Sequence, residues 1–430
     1  MHRISLLFVS LFAVSNMSGL QAVERNVAIG TDSVSVSSTD WPWWRGLHRD
    51  GFAEPNQTPP TEWSETKNVA WVVPLPGRGH SSPTVFGDRV FLLTADEPNE
   101  VQMALCFDRS TGKQIWKTEL NRGNFDFKGH KKTSQASSTI ACDGKRLYAQ
   151  LMNHGGVHLV CLDLDGKKIW TKRVSDFVSH QGFGASPAIY DSLVIASADN
   201  KGGGALVAYD RVSGESIWKR DRPSLPNYTS PIILNVAGRH QLVLTGCELV
   251  SSFDPMTGET LWETKGATTE CVTSTVTDGT RVFSSGGYPD NHMQAIRADG
   301  TAKIEWENNV RVYVPSMLVD GDYLYSVTDA GVAICWDSDT GNQRWKARLG
   351  GTFNASTVLV GNSIFAVNQA GTTFVFKANP DEFELVAKNK LGEEVYASPV
   401  ICNSQVFLRV AKFEDDQRKE YLYCIAKKEN

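Results

Sequence analysis

Tryptophan recurs at Trp71, Trp116, Trp170, Trp218, Trp262, Trp306 and Trp345, at intervals of 39 to 54 residues. Self-similarity at that period implies a ring or stack of repeated sheet units. Five of the tryptophans close one pattern: FDRSTGKQIW (107–116), LDLDGKKIW (162–170), YDRVSGESIW (209–218), FDPMTGETLW (253–262) and WDSDTGNQRW (336–345). Each reads as a hairpin. Asp108, Asp163, Asp210, Asp254 and Asp337 are placed to accept backbone N–H bonds within the turn. Gly112, Gly166, Gly214, Gly258 and Gly341 supply the positive φ that a tight turn needs. IRADGTAKIEW (296–306) is a weaker copy with Arg297 in place of Asp, and FKANPDEFELVA (376–387) has lost both Gly and Trp.

A second landmark runs out of phase with the first: SPTV (82–85), STIA (138–141), SPAI (186–189), SPII (230–233), STVT (274–277), SMLV (316–319), STVL (356–359) and SPVI (398–401). Each precedes a turn and a β-rich run such as RVFLLT (89–94) or YLYSVT (323–328). One unit is therefore strand, turn, strand, loop, strand, Asp/Gly turn, strand, a four-stranded antiparallel blade. The last unit stops after its third strand, YLYCIA (421–426), whereas NVAWVVPL (68–75) is an orphan strand carrying Trp71. Pairing the two removes exposed sheet edges. The fold expected is all-β: an eight-bladed β-propeller closed by the N-terminal strand and the C-terminal blade. The seven tryptophans are expected to dock blade on blade, since a strictly repeated position is better explained by repeated packing than by ligand stacking.

A closed array can use all 430 residues as one body. Its 43 Lys+Arg against 48 Asp+Glu leave no basic footprint for nucleic acid. His2 and Arg3 precede an apolar stretch from Ile4 to Val14 and then small polar residues, the pattern of a secretory signal peptide over 1–22. That run is too short and too soon interrupted to span a bilayer comfortably. The organisation expected is signal peptide 1–22, lead-in 23–65 and propeller 66–430, in a protein that is periplasmic or extracellular. Cys106, Cys161, Cys335 and Cys424 share one repeat position with Ala208, Ser252, Ala295 and Val375, a small-side-chain slot. Cys142 and Cys402 share another. These six are expected to be core residues rather than disulfides; whether Cys247 and Cys271 pair is left open. No metal-binding or nucleophile motif is present, and His154 and His158 lie in β structure, where their spacing makes no chelating face.

In a propeller, ligands meet the loops that enter the inner strands at the channel mouth. One to four residues before each inner-strand Ser stand His80, Gln135, Phe183, Asn227 with Tyr228, Glu270, Tyr313, Phe353 with Asn354, and Glu394 with Tyr396. Aromatic faces interleaved with amides, a His and two carboxylates suit a polar ring or sugar. The competing reading is that they plug and solvate the rim.

The eight blades with D-x-x-T-G-x-x-x-W turns resemble the pyrroloquinoline-quinone (PQQ) repeat family, over residues 41 to 430. The lead-in WPWWRGLHRDG (41–51) is similar to the segment before the propeller in secreted members of planctomycete type. Two branches imply two functions. The PQQ-dependent alcohol dehydrogenases imply a quinone and a calcium ion at the mouth, an Asp base and a disulfide of adjacent cysteines. This chain has no adjacent cysteine pair, although Glu270 and Asn227 offer oxygen ligands. The BamB branch of outer-membrane protein assembly implies a non-catalytic binding scaffold; its lipid anchor does not carry over, because the first cysteine is Cys106. The function expected is a secreted, non-catalytic scaffold that binds a protein or glycan at the mouth. The alternative is a PQQ- and calcium-dependent alcohol or sugar dehydrogenase.

Overall fold

In the computed structural model, which describes residues 33–125, 132–266 and 268–427, the chain forms eight four-stranded antiparallel sheets. Seven are built from consecutive strands, spanning residues 84–122, 141–176, 188–222, 232–265, 276–308, 318–348 and 358–390 (blades 1 to 7). Blade 8 takes its inner strands from 400–425 and its outermost from Val69–Leu75, which pairs antiparallel with Gln417–Ile425. The ring closes by the expected route. The expected signal peptide lies outside the described residues.

The repeated residues have one physical explanation. In each outer hairpin the Asp carboxylate caps the turn: Asp108 Oδ1 accepts the Ser110 and Thr111 N–H groups at 3.1 and 2.8 Å, and Asp337 Oδ1 accepts those of Asp339 and Thr340 at 3.1 and 3.0 Å. The glycine that follows has φ near 70° (73° at Gly112, 68° at Gly341). It is required for a second reason. A Cβ on Gly112 would stand 2.7 Å from the Trp71 ring of the preceding blade, and the same clash recurs for Gly166 on Trp116, Gly258 on Trp218 and Gly341 on Trp306. These indoles thus lie flat on the next blade's turn and donate their Nε1–H to a carbonyl there, Trp71 to Arg109 O at 2.9 Å, Trp116 to Leu164 O at 2.9 Å and Trp306 to Ser338 O at 2.8 Å, and Trp345 donates likewise to Asn379 O at 2.7 Å.

Register explains the small slot. Within a blade, Trp71 pairs with Cys424, Trp116 with Cys106, Trp170 with Cys161, Trp218 with Ala208, Trp262 with Ser252, Trp306 with Ala295 and Trp345 with Cys335. The slot is small because an indole covers it, and in five blades an aromatic sits one strand further in, as Phe91, Tyr148, Phe283, Tyr325 and Phe407. Blade 7 tests this account: Ala387 replaces the Trp, and the residue opposite it has grown to Val375. The missing ring comes from the lead-in. Trp63, 4% exposed, stacks on Phe365 with centroids 6.2 Å apart and planes 3° apart. Asn389 pins it from both sides, accepting the Trp63 N–H at 2.9 Å and donating to Thr61 O at 2.8 Å.

All eight cysteines are buried and free, so Cys247 and Cys271 do not pair. Cys247 faces Asp199 and Cys271 the Thr245 and Thr268 hydroxyls. The docking role expected of the tryptophans needs one qualification: Trp71, Trp262 and Trp345 are buried, at 9%, 4% and 9% exposure, whereas Trp116, Trp170, Trp218 and Trp306 keep one edge in solvent. Their substitutions should differ accordingly. Trp63→Ala and Trp71→Ala should each lower the unfolding free energy by about 3–5 kcal/mol, against about 1–3 kcal/mol for Trp116→Ala. Chemical denaturation of the three variants measures the order, and a Trp63→Ala protein as stable as the wild type would remove the lead-in from the blade 7 seam.

Candidate functional site at the channel mouth

The inner strands are short, two to five residues, and run from the mouth inwards. The repeated serines at their heads form a collar. The Ser186 N–H donates to Ser230 Oγ at 2.8 Å, Ser274 to Ser316 at 3.0 Å, Ser316 to Ser356 at 3.0 Å, Ser356 to Ser398 at 2.8 Å, and Ser398 to Ser82 at 3.1 Å. In these five blades the serine's backbone donor is thereby satisfied by the next blade.

The far end of the channel is closed by the lead-in. Trp41 exchanges backbone bonds with Val85 of blade 1, the Cys142 N–H of blade 2 donates to Pro42 O, and Gly51 and Ala53 pair with Leu359 of blade 7. Arg45, 3% exposed, donates to Thr357 O at 3.0 Å and Met317 O at 2.7 Å, and Arg49 donates to Ile189 O of blade 3 at 2.6 Å. From this floor Trp44 reaches up to the collar, its Nε1–H donating to Ser274 Oγ at 2.8 Å. Above it lies a cavity of about 560 Å3.

Seven of the eleven expected mouth residues line this cavity: His80, Phe183, Tyr228, Tyr313, Phe353, Asn354 and Tyr396. Phe353 does so only marginally, for it is fully buried, its ring tilted against Phe374. His80 and Tyr396 stack at 4.3 Å. Burial, reinforced by Arg78, Arg409 and Arg418, holds the His80 pKa well below its usual 6.5, so the imidazole is neutral. Its Nε2 is buried without a hydrogen-bond partner, and the Tyr228 hydroxyl is buried beside the Gln181 backbone N–H. Burial, then Glu270 and Tyr313, raise the Tyr228 pKa, with the Gln181 backbone opposing them.

The other four do not line it. Asn227, 4% exposed, is a pin: its Nδ2 donates to Asp199 Oδ2 at 3.0 Å and Thr245 O at 2.9 Å, and its Oδ1 accepts the Cys271 N–H at 3.2 Å. Glu270 is 2% exposed and lies 3.1 Å from His180 Nε2, with the Tyr313 hydroxyl 3.4 Å from its other oxygen. Glu394 is held by Arg418 at 2.5 Å and Tyr396 OH at 3.0 Å, and Gln135 lines a small crevice beside Phe183 instead. Sequence reasoning missed Trp44, which belongs to the lead-in. It also missed Tyr288, Asp329 and Gln369, which stand on the turns joining second to third strands, on the same face as the inner-strand loops.

The donor set does not fit the calcium ion that the dehydrogenase resemblance implies. Asn227 and Glu270 are spent on the fold's own bonds, and among the described residues no three His, Cys, Asp or Glu side chains converge as metal ligands. Among the described residues there is also no helix long and apolar enough to cross a membrane.

The family described as outer membrane protein assembly factor BamB matches residues 100–347, more than half of the chain. The chain belongs to that family. BamB of Burkholderia pseudomallei (strain K96243) is 24% identical over 323 residues, 73% of this chain and 69% of that protein. The crystal structure of BamB from Moraxella catarrhalis superposes with a TM-score of 0.59 at 12% identity, covering 83% of this chain and 96% of that one. A europium-containing methanol dehydrogenase superposes with a TM-score of 0.67 at 11% identity, covering 91% and 98%. These solved structures share the fold with this BamB-family chain. Their sources lend no support to the planctomycete resemblance.

The buried neutral His80 links stability to pH. Below about pH 6.5 the unfolded chain takes up a proton at this position that the folded state refuses, so stability is retained above that pH and lost as pH falls. His80→Phe should flatten the decline in melting temperature between about pH 7 and pH 5. Parallel curves for wild type and variant would show that His80 is protonated in the folded protein.

Proposed function

We propose that this chain is a non-catalytic envelope scaffold whose mouth face docks a protein partner in outer-membrane protein assembly. The observation that carries the reading is the BamB family match over 100–347, joined to an apolar rim on the mouth face. Val178, Tyr288 and Phe413 are 53%, 52% and 51% exposed; the first two stand on mouth-side connections and Phe413 near the mouth-side end of its strand. Scattered apolar side chains need no explanation, but three around one opening suit a partner that covers them. Phe413 is presented by the extended hairpin of blade 8, Gln405–Glu414 with Gln417–Ile425, and its backbone N–H is tied to Glu393 at 2.7 Å. A location in the periplasm or at the outer membrane agrees with the relatives' printed role and with the expected signal peptide.

The dehydrogenase alternative draws support from the fold it shares with the methanol dehydrogenase, and the commitment of Asn227 and Glu270 weighs against it. Deleting the gene in its own cell should lower the level of outer-membrane proteins, and the wild-type gene should restore it. Val178→Asp with Phe413→Asp should fail to restore it while changing stability by no more than about 0.5 kcal/mol, since both side chains are half in solvent. Unchanged outer-membrane protein levels on deletion, or alcohol-dependent dye reduction by purified protein given PQQ and calcium, would overturn the scaffold reading.

A further inference from the structure

The mouth cavity has a chemistry that docking of a protein at the rim does not use. Its floor is the Trp44 indole, fixed by the bond to Ser274, and the lead-in beneath closes the way through the channel. A ligand therefore enters and leaves by the mouth, and the cavity of about 560 Å3 is within the range of small-molecule sites. Its walls carry aromatic rings, Tyr228, Tyr313 and Tyr396 among them, around the hydroxyls of the serine collar.

The charged groups at its edge are already engaged and nearly balanced. Arg311 donates to Gly287 O at 2.5 Å and lies 4.9 Å over the Tyr313 ring, Asp329 accepts the Tyr313 N–H at 2.8 Å, and Lys132 reaches Gln369 at 3.3 Å. What remains for a ligand is neutral: His80 Nε2, buried at the cavity wall with no partner, and the Tyr228 hydroxyl, whose oxygen is approached by the Gln181 backbone N–H. A buried polar atom without a partner carries a desolvation cost, which a ligand atom that pairs with it removes. Stacking surfaces, neutral donors and acceptors, and, among the described residues, cations already engaged together select a ring with apolar faces and a hydroxylated edge.

We propose that the cavity above Trp44 binds a neutral sugar, a single pyranose or the terminal ring of a short oligosaccharide, seated among the tyrosines and hydrogen-bonded to Tyr228 and His80. The site goes beyond the scaffold reading and stands whether or not a protein covers the rim.

Saturation-transfer NMR and calorimetry on the full chain test it, with glucose, N-acetylglucosamine, cellobiose and chitobiose as probes. At least one should bind saturably, with magnetisation transferred to its ring protons. Tyr228→Phe, which removes one oxygen and keeps the ring, should weaken binding by about tenfold. The rim variant Val178→Asp with Phe413→Asp should bind sugar as the wild type does, which separates failure of this site from failure of the scaffold. Thermal melting confirms that each variant is folded. Absence of binding by all four sugars, or binding that a folded Tyr228→Phe protein retains in full, would overturn the proposal. PQQ binding more tightly than every sugar, and displacing them, would also overturn it.

Discussion

The structure depends on one contact, an indole laid flat on the glycine turn of the next blade. A four-stranded sheet with two apolar faces has no stable existence alone and must be covered on both. Here the cover is made at the outer rim, where Trp71 meets Gly112, Trp116 meets Gly166, Trp170 meets Gly214, Trp218 meets Gly258 and Trp306 meets Gly341. Three residue choices follow from that contact. The turn must be glycine because a Cβ would enter the ring, the residue opposite must be small because the ring lies over it, and the indole N–H needs a carbonyl from the turn it covers. Sequence variation at one of these places is matched at the others. Where blade 5 offers Arg297 instead of the Asp turn, Trp262 donates to Gln241 Oε1 at 2.7 Å, and Gln241 passes the link on to Ala298 O at 2.8 Å.

The lead-in belongs to the same logic. It supplies Trp63 where blade 7 has none, and a few residues earlier it closes the channel with a segment that touches blades on both sides of the ring. The cost of burying Arg45 shows in its pKa, drawn down by desolvation to about 10, yet the group stays charged at neutral pH and its donors meet three backbone carbonyls. Those carbonyls belong to blades 6 and 7 and to the lead-in itself, so one guanidinium holds the floor to the ring.

The fold was legible in the sequence because its determinants repeat. Eight serines and seven tryptophans give phase, strand count and closure, and the alignment of Cys106 with Ala208 and Ser252 identifies the small slot before its cause is known. The site was legible only in part, because nothing at the mouth repeats. Position relative to the inner-strand Ser correctly brings His80, Tyr228, Tyr313 and Tyr396 together. It cannot separate a residue that faces the cavity from one that holds a loop. Asn227 and Glu270 are polar, near the mouth and buried, and what they do is fixed by Asp199 and His180, 28 and 90 residues away in the chain. Trp44 was invisible for the opposite reason: it lies outside the repeat, in a segment whose sequence gives no sign that it crosses the channel.

Closing one end changes what the channel can be. An open tube through a propeller is a solvent-filled seam, and polar residues along it are satisfied by water from either side. With Trp44 in place the water above it exchanges through one opening only, and a side chain such as Tyr228 or His80 is cut off from the solvent behind it. The same closure fixes the wall positions, because Ser274, which takes the Trp44 bond, also donates from its backbone to Ser316 and so into the collar. Floor and collar are one hydrogen-bonded unit running from Trp44 through Ser274, Ser316, Ser356 and Ser398 to Ser82, and a preorganised site forfeits less ordering free energy on binding than one assembled from loops. The rim above is held locally instead: the Val178 N–H donates to Asn200 Oδ1 at 3.1 Å and the Phe413 N–H to Glu393 Oε2 at 2.7 Å. On the proposals made above, the lower level of the mouth takes the small ring and the rim the protein partner, and the two are separable because Val178 and Phe413 do not line the cavity.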